Sequence, residues 1–179
     1  MSYTLKSDKY SIDFLEKELG KNVKTFFKNG FYKELTDSKF MYFQLFRYSD
    51  NRIYFKNQPK NDTLYYRSTL ADHTSNFDYV IQKKADTLLG VVCDKLTITD
   101  NFGTKTYYYS SEYSLDPEYY KNFTFINKYE IVKLMKAVYL KLVMELEFFT
   151  VEIKATNIER KKLPDKVFAL PENTILVAQ

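Results

Sequence analysis

Apolar positions at Ile12, Leu15 and Leu19 fall at i, i+3 and i+7, with Phe14 adjoining and Asp13, Glu16, Lys17 and Glu18 facing elsewhere. That is the period of an amphipathic helix. Ser11 offers an N-cap oxygen and Gly20 a C-terminal stop, so a helix is predicted from Ser11 to Leu19. Before it, Tyr3-Thr4-Leu5-Lys6 predicts a strand. From Asn22 onward the period shortens to that of strands. Val23 to Lys28 and Phe31 to Leu35 flank Asn29-Gly30, a strong hairpin signal because a type I′ turn needs positive φ twice. Phe40 to Tyr48 is aromatic or apolar on both parities. Ser49-Asp50-Asn51 predicts a turn, Arg52 to Lys56 the return strand, and Thr63 to Arg67 another strand after the break at residues 57–61. The polar stretch from Ser68 to Asn76 predicts a surface loop.

A second run of strand patterns begins near Phe77, where Phe77, Tyr79 and Ile81 alternate. Strands are predicted at Val91 to Thr99 and Thr104 to Tyr109, joined by a turn at Asp100-Asn101-Phe102-Gly103. Pro117 interrupts the strand pattern by fixing φ and restricting Asp116. Ile131, Leu134, Met135 and Val138 then return to helical spacing and predict a helix from Lys128 to Lys136. In the last block Leu140, Leu142, Met144, Leu146 and Phe148 hold one parity, whereas Val151, Ile153 and Ala155 hold the other. The slip near Phe148-Phe149 demands either a bulge or a tight hairpin, and no Gly, Asn or Pro there chooses between them. Many strands, short connections and two helices predict an α+β fold: a single domain over 1-179 with one antiparallel sheet partly covered by helix.

Composition adds one feature. The 179 residues hold 17 Tyr and 15 Phe but no Trp, with only 4 Gly and 4 Pro. Low-complexity and linker-rich chains are thereby excluded. The net charge of +4 is spread along the sequence, without the basic stripe of a nucleic-acid binder. Arg160-Lys161-Lys162 is the densest basic run, and a solvated turn accounts for it. No apolar stretch approaches the length of a membrane helix.

Candidate chemistry is sparse. His73 is the only histidine and Cys93 the only cysteine, which excludes two-histidine and multi-cysteine metal sites and any intrachain disulfide. Cys93 with His73 is the one conceivable thiol–imidazole pair, but Cys93 lies mid-strand and is expected to be a buried structural thiol. Glu145 and Glu147 are expected to share one strand face, where a solvent-facing polar row explains them better than acid/base catalysis. No nucleotide-binding loop or nucleophile elbow occurs. The expectation is therefore a protein that is not an enzyme and carries no cofactor or metal. Aromatics on one exposed face would build a base-stacking platform. Here they occupy both parities of Phe40 to Tyr48 and of Thr106 to Tyr109, which points instead to a thick interior with a tyrosine-studded exterior.

Several short motifs together resemble a known family. Leu89-Gly90-Val91-Val92-Cys93-Asp94-Lys95 is similar to its Leu-Gly-x-x-Cys-x-Lys segment, and a Tyr-rich strand comes after it, ending near Asp116-Pro117. Ala155-Thr156-Asn157-Ile158 resembles its Ala-Thr-x-Ile strand, and Asp165 to Pro171 its Asp-x-x-Phe-x-Leu-Pro close. Asp62-Thr63-Leu64-Tyr65-Tyr66 and the helix-then-hairpin opening fit the same order. The family is that of secreted envelope proteins of Gram-negative bacteria named for a Gly-Leu-Pro-Gly-Leu-Ile (GLPGLI) motif. Where it carries Leu-Pro-Gly-Leu-Pro, this chain has Leu134 to Leu142 without glycine or proline, so the turn into that strand must be built by the predicted helix.

The resemblance implies a fold similar to the periplasmic lipoprotein carriers (LolA-like): a curved, open antiparallel half-barrel with two short helices on its concave side. It implies export to the periplasm or cell envelope. Met1-Ser2-Tyr3-Thr4 is no signal peptide, and a strand starting this abruptly is what a chain relieved of its leader would show. It also implies an apolar small molecule, acyl chain or lipidated protein as partner; that no nucleic acid is expected follows from the spread charge and the two-sided aromatics. The cavity is expected to be lined by Met41, Phe43, Leu45, Leu140, Leu142, Met144, Leu146 and Phe148, each of which also reads as ordinary core. The alternative is an envelope interaction module whose exposed tyrosines bind a protein or glycan. An apolar pocket of roughly 300 Å³ or more under the helices separates the first from the second.

Overall fold

The computed structural model describes residues 1–28, 30–58, 62–70 and 76–179. Asn29 of the hairpin signal, the break at 59–61 and His73 lie outside them. In chain order the elements are β1 (Ser2–Lys6), α1 (Ile12–Leu19), β2 (Val23–Lys28), β3 (Phe31–Thr36), β4 (Phe43–Arg47), β5 (Arg52–Lys56) and β6 (Thr63–Ser68). They continue as β7 (Asp78–Leu88), β8 (Val91–Asp100), β9 (Gly103–Ser114), α2 (Lys128–Met135), β10 (Ala137–Glu145), β11 (Thr150–Lys154) and β12 (Ile175–Ala178). Short 3-10 turns fill several connections. The fold is α+β, mostly antiparallel sheet with two short helices.

The expected single sheet is replaced by two six-stranded sheets, ordered β1-β11-β10-β9-β8-β7 and β12-β6-β5-β4-β3-β2. They meet edge to edge. Ser2 bridges Asn22, Val23 N–H donates to Met1 O at 3.0 Å and Tyr3 N–H to Lys21 O at 2.8 Å. The edge β1 of one sheet is thus tied to the edge β2 of the other. Register shifts between Gln82 and Asp86 and around Val138 and Leu140 bend the first sheet. One pairing departs from the antiparallel rule: β12 runs parallel to β6, with Leu176 beside Leu64.

Local chemistry explains both the agreements and the departures. Ser11 caps α1, its Oγ accepting from Phe14 N–H, and Gly20 closes it at φ 84. The predicted strand from Phe40 begins only at Phe43. Ser38 Oγ accepts from Phe40 N–H at 2.9 Å and Met41 N–H at 3.1 Å, which holds those residues in a turn. At Phe148-Phe149 the chain makes a hairpin, closed by Leu146 N–H on Phe149 O at 3.0 Å. Glu147 therefore lies in that turn and does not share a strand face with Glu145. The direct passage from α2 to β10 needs no glycine, because Lys136 itself takes a left-handed conformation at φ 51.

Both faces of each sheet bury apolar side chains. Leu5, Leu96, Ile98, Tyr107, Leu142, Val151 and Ile153 form the inner face of the first sheet, packed on Leu15 of α1 and on Ile131 and Met135 of α2. Val132 of α2 turns the other way, to Tyr32, Phe46 and Ile53 of the second sheet and to Tyr120 and Phe123. The second helix is thus wedged between the inner faces. Behind the second sheet, Phe43, Leu45, Tyr54 and Leu64 are covered by Phe168, with Leu163 and Val167 packed alongside. Lys28 Nζ and Lys33 Nζ anchor that covering segment on Leu163 O and Val167 O. Behind the first sheet, Cys93 and Leu140 pack with Leu88, Val91 and Ala155. Cys93 is a fully buried free thiol, and burial raises its pKa. Only Tyr10 and Tyr79 among the tyrosines are exposed. Five are buried and the other ten half-buried, so the phenols divide between the interior and the surface, with few fully exposed.

Candidate functional site

Near the seam the two inner faces stand apart and leave a cavity of about 260 Å³. The first sheet supplies Tyr3, Ile153, Val151 and Met144, and the hairpin after β10 adds Leu146 and Phe149. The second sheet supplies Glu34, Thr36 and Gln44, the turn after β3 adds Ser38, Phe40 and Met41, and Leu19 of α1 closes one side. Phe40 is 67% exposed and marks the mouth. The walls are apolar, and the polar groups are concentrated on β3 and β4.

Strand register creates that arrangement. Tyr32, Glu34 and Thr36 alternate onto one face of β3, and Glu34 pairs with Gln44 on β4 and Thr25 on β2. Tyr32 O–H donates to Gln44 Oε1 at 2.8 Å, and Gln44 Nε2 donates to Met41 Sδ at 2.7 Å. Both ends of the amide are therefore occupied. Glu34 makes no side-chain hydrogen bond and no ion pair within 4.0 Å among the described residues. Beside it the buried Thr25 hydroxyl is also without a hydrogen-bond partner. Glu34 is half-buried and lines the cavity.

The electrostatics follow from that burial. Desolvation pushes the Glu34 carboxyl above its ordinary value, and the positive charge of Lys128 opposes the rise. Burial lowers the Lys128 ammonium in turn, and Glu34 resists that. Lys128 sits at the start of α2 with Nζ 5.3 Å from the centre of the Tyr32 ring, a cation–π distance. Tyr3, Tyr32 and Tyr139 are all raised, first by burial and then by the negative charge of Glu34. The Glu34 carboxylate thus bears on three phenols around it, with the Lys128 ammonium as its countercharge.

Comparison with protein-family models, with curated proteins and with solved structures gives no match. The functional reading therefore rests on the site itself and on the resemblance drawn from the sequence.

Of the residues expected to line a cavity, Met41, Met144 and Leu146 do so. Leu142 lies in the inner core of the first sheet. Phe43 and Leu45 point to the opposite face of the second sheet, under Phe168. Leu140 is carried to the back of the first sheet by the register shift beside it. Phe148 is exposed in the hairpin turn, with Lys9 Nζ 3.5 Å from its ring centre. Glu34, the group that gives the cavity its character, was not among them. Its signal was present: it shares a strand parity with Tyr32, which pairs with Phe27 across the hairpin, so an acid stands in an aromatic row. A larger groove of about 400 Å³ lies elsewhere, between β3, β4 and the covering segment, lined by Lys28, Phe31, Arg47, Asp165 and Phe168. Its cations are already engaged, Lys28 with Asp165 and Arg47 with Asp50. No helix among the described residues is long and apolar enough to cross a membrane.

Proposed function

We propose that this chain is a non-enzymatic binding protein of the cell envelope, whose sheets form an open half-barrel and whose cavity takes an apolar ligand, an acyl chain or the lipid of a lipidated partner. One observation carries the reading. The space between the inner faces has apolar walls and a few converging polar groups, the usual make-up of a small-molecule site. The half-barrel is supported by the continuous strand order through the Ser2–Asn22 bridge and by the helices lying against the inner faces. The envelope location is carried by the sequence resemblance alone. At about 260 Å³ the cavity falls a little short of the size that distinguishes the readings. With roughly 30 Å³ for each water-sized group it holds a chain of about eight such groups. A longer chain would have to extend past Phe40 or part the sheets.

A second reading has its own support. Tyr79, Val80 and Ile81 are exposed on β7, and Ile175, Leu176 and Val177 on β12, so the outer edge strand of each sheet carries an exposed apolar run. Such edges can accept a strand from a protein partner. Binding of a fluorescent fatty acyl probe separates the two. The cavity reading expects saturable binding to the wild-type chain, weakened roughly tenfold or more when Leu146→Trp fills the mouth. Saturable binding unchanged by Leu146→Trp, or no binding with no lipid found by native mass spectrometry of the extracted protein, would leave the interaction module.

A further inference from the structure

The polar inventory of the cavity is lopsided, and it sets the charge of what can enter. Thr36 Oγ1 donates to Met41 O and Ser38 Oγ to Glu18 O, so both hydroxyl protons are engaged inside the protein. Gln44 is engaged at both ends. Among the described residues no lysine or arginine lines the space. What remains open to an occupant is the pair of acceptor oxygens on Glu34, which no protein donor reaches among the described residues, beside the Tyr3 hydroxyl and the second N–H of Gln44.

Building on the cavity reading above, we propose that the ligand is an amphiphile with a protonated primary-amine head, its ammonium bonded to Glu34 and its chain lying along Met144, Leu146 and Val151 toward Phe40. A buried carboxylate lacking donors is costly, and an ammonium brings three of them together with the opposite charge. A fatty carboxylate would instead place like charge against like in a desolvated space. A neutral alcohol falls between, with one donor and no charge. The groups that bear on Glu34 from neighbouring elements are Lys128 on α2, Tyr3 on β1 and Tyr139 on β10, with Tyr32 on its own strand. Only Lys128 is cationic, and it lies beyond ion-pair distance, so it lessens the preference without reversing it.

The test is calorimetric titration of the full chain at neutral pH with octylammonium, octanol and octanoate, repeated on Glu34→Gln. The expected order is octylammonium over octanol over octanoate, with the first at least roughly tenfold tighter than the second, as for hydrogen bonds to charged groups. In Glu34→Gln that advantage collapses while octanol binding is kept. Octanoate binding as tightly as octylammonium, or a preference that survives Glu34→Gln, overturns the inference and leaves the apolar cavity standing. Should Glu34→Gln fail to fold, the wild-type order decides by itself. Failure of all three to bind overturns the cavity reading, and this inference with it.

Discussion

Glu34 is where residue-level chemistry and fold come into tension. Its ordinary pKa of 4.5 is raised by burial more than Lys128 can lower it. The folded chain therefore holds the proton more tightly than the unfolded one. Between the ordinary value and the raised folded value, stability falls as pH rises, and above the folded value the loss is complete. Glutamine carries no such penalty. Glu34→Gln should match the wild type in thermal midpoint below the ordinary value of 4.5 and exceed it increasingly as pH rises above it, until the raised folded value is passed, a trend that calorimetric melting against pH reads directly. A difference independent of pH would contradict the assignment. Asp37, a few residues on, shows the opposite balance. Burial alone would raise its pKa, but bonds from Asn22 N–H and Nδ2 and from Lys21 N–H hold it below the ordinary range. It pins the chain between α1 and β2 to the end of β3, beside the seam.

Elements were legible in the sequence where a local signal had no competitor. Ser11 and Gly20 delimited α1, the apolar spacing of Ile131 and Met135 found α2, and the turn at Asp100 to Gly103 joined β8 to β9 as expected. Where the reading failed, a tertiary or side-chain interaction had overridden the pattern. Ser38 holds back the start of β4, and the bulge at Leu140 moves one residue of an apparently uniform stripe to the other face. The short apolar tail Ile175 to Ala178 gave no period of its own and became a strand only by finding β6. Glu34 was overlooked because the partners that bury it come from other elements. The approach of the β8–β9 turn to the end of β10 depends on one backbone feature. Gly103 adopts φ 130 against the carbonyl of Glu145, where a Cβ would collide with backbone. Gly103→Ala should cost about 1–3 kcal/mol of unfolding free energy in urea titration. An effect within about 0.5 kcal/mol, the range of an ordinary surface substitution, would show that the turn relaxes freely.

At the scale of the whole molecule, the two sheets touch at the β1–β2 seam and are held apart by α2, and the cavity exists because that wedge reaches only part of the way along. The aromatic excess of the sequence is thereby explained: each sheet packs on both faces, with α2 inside and the 163–170 segment behind. The four methionines are well placed to report on this arrangement. Met41 and Met144 line the cavity from opposite sides, whereas Met1 and Met135 pack in the core of the first sheet and are not among the lining residues. The most direct test is methyl NMR of methionine-labelled protein titrated with an eight-carbon amphiphile. Saturable shifts of the Met41 and Met144 methyl signals, with Met1 and Met135 left in place, are the predicted result. Signals that all stay still, or that move for Met1 and Met135 but not for Met41 and Met144, would contradict it.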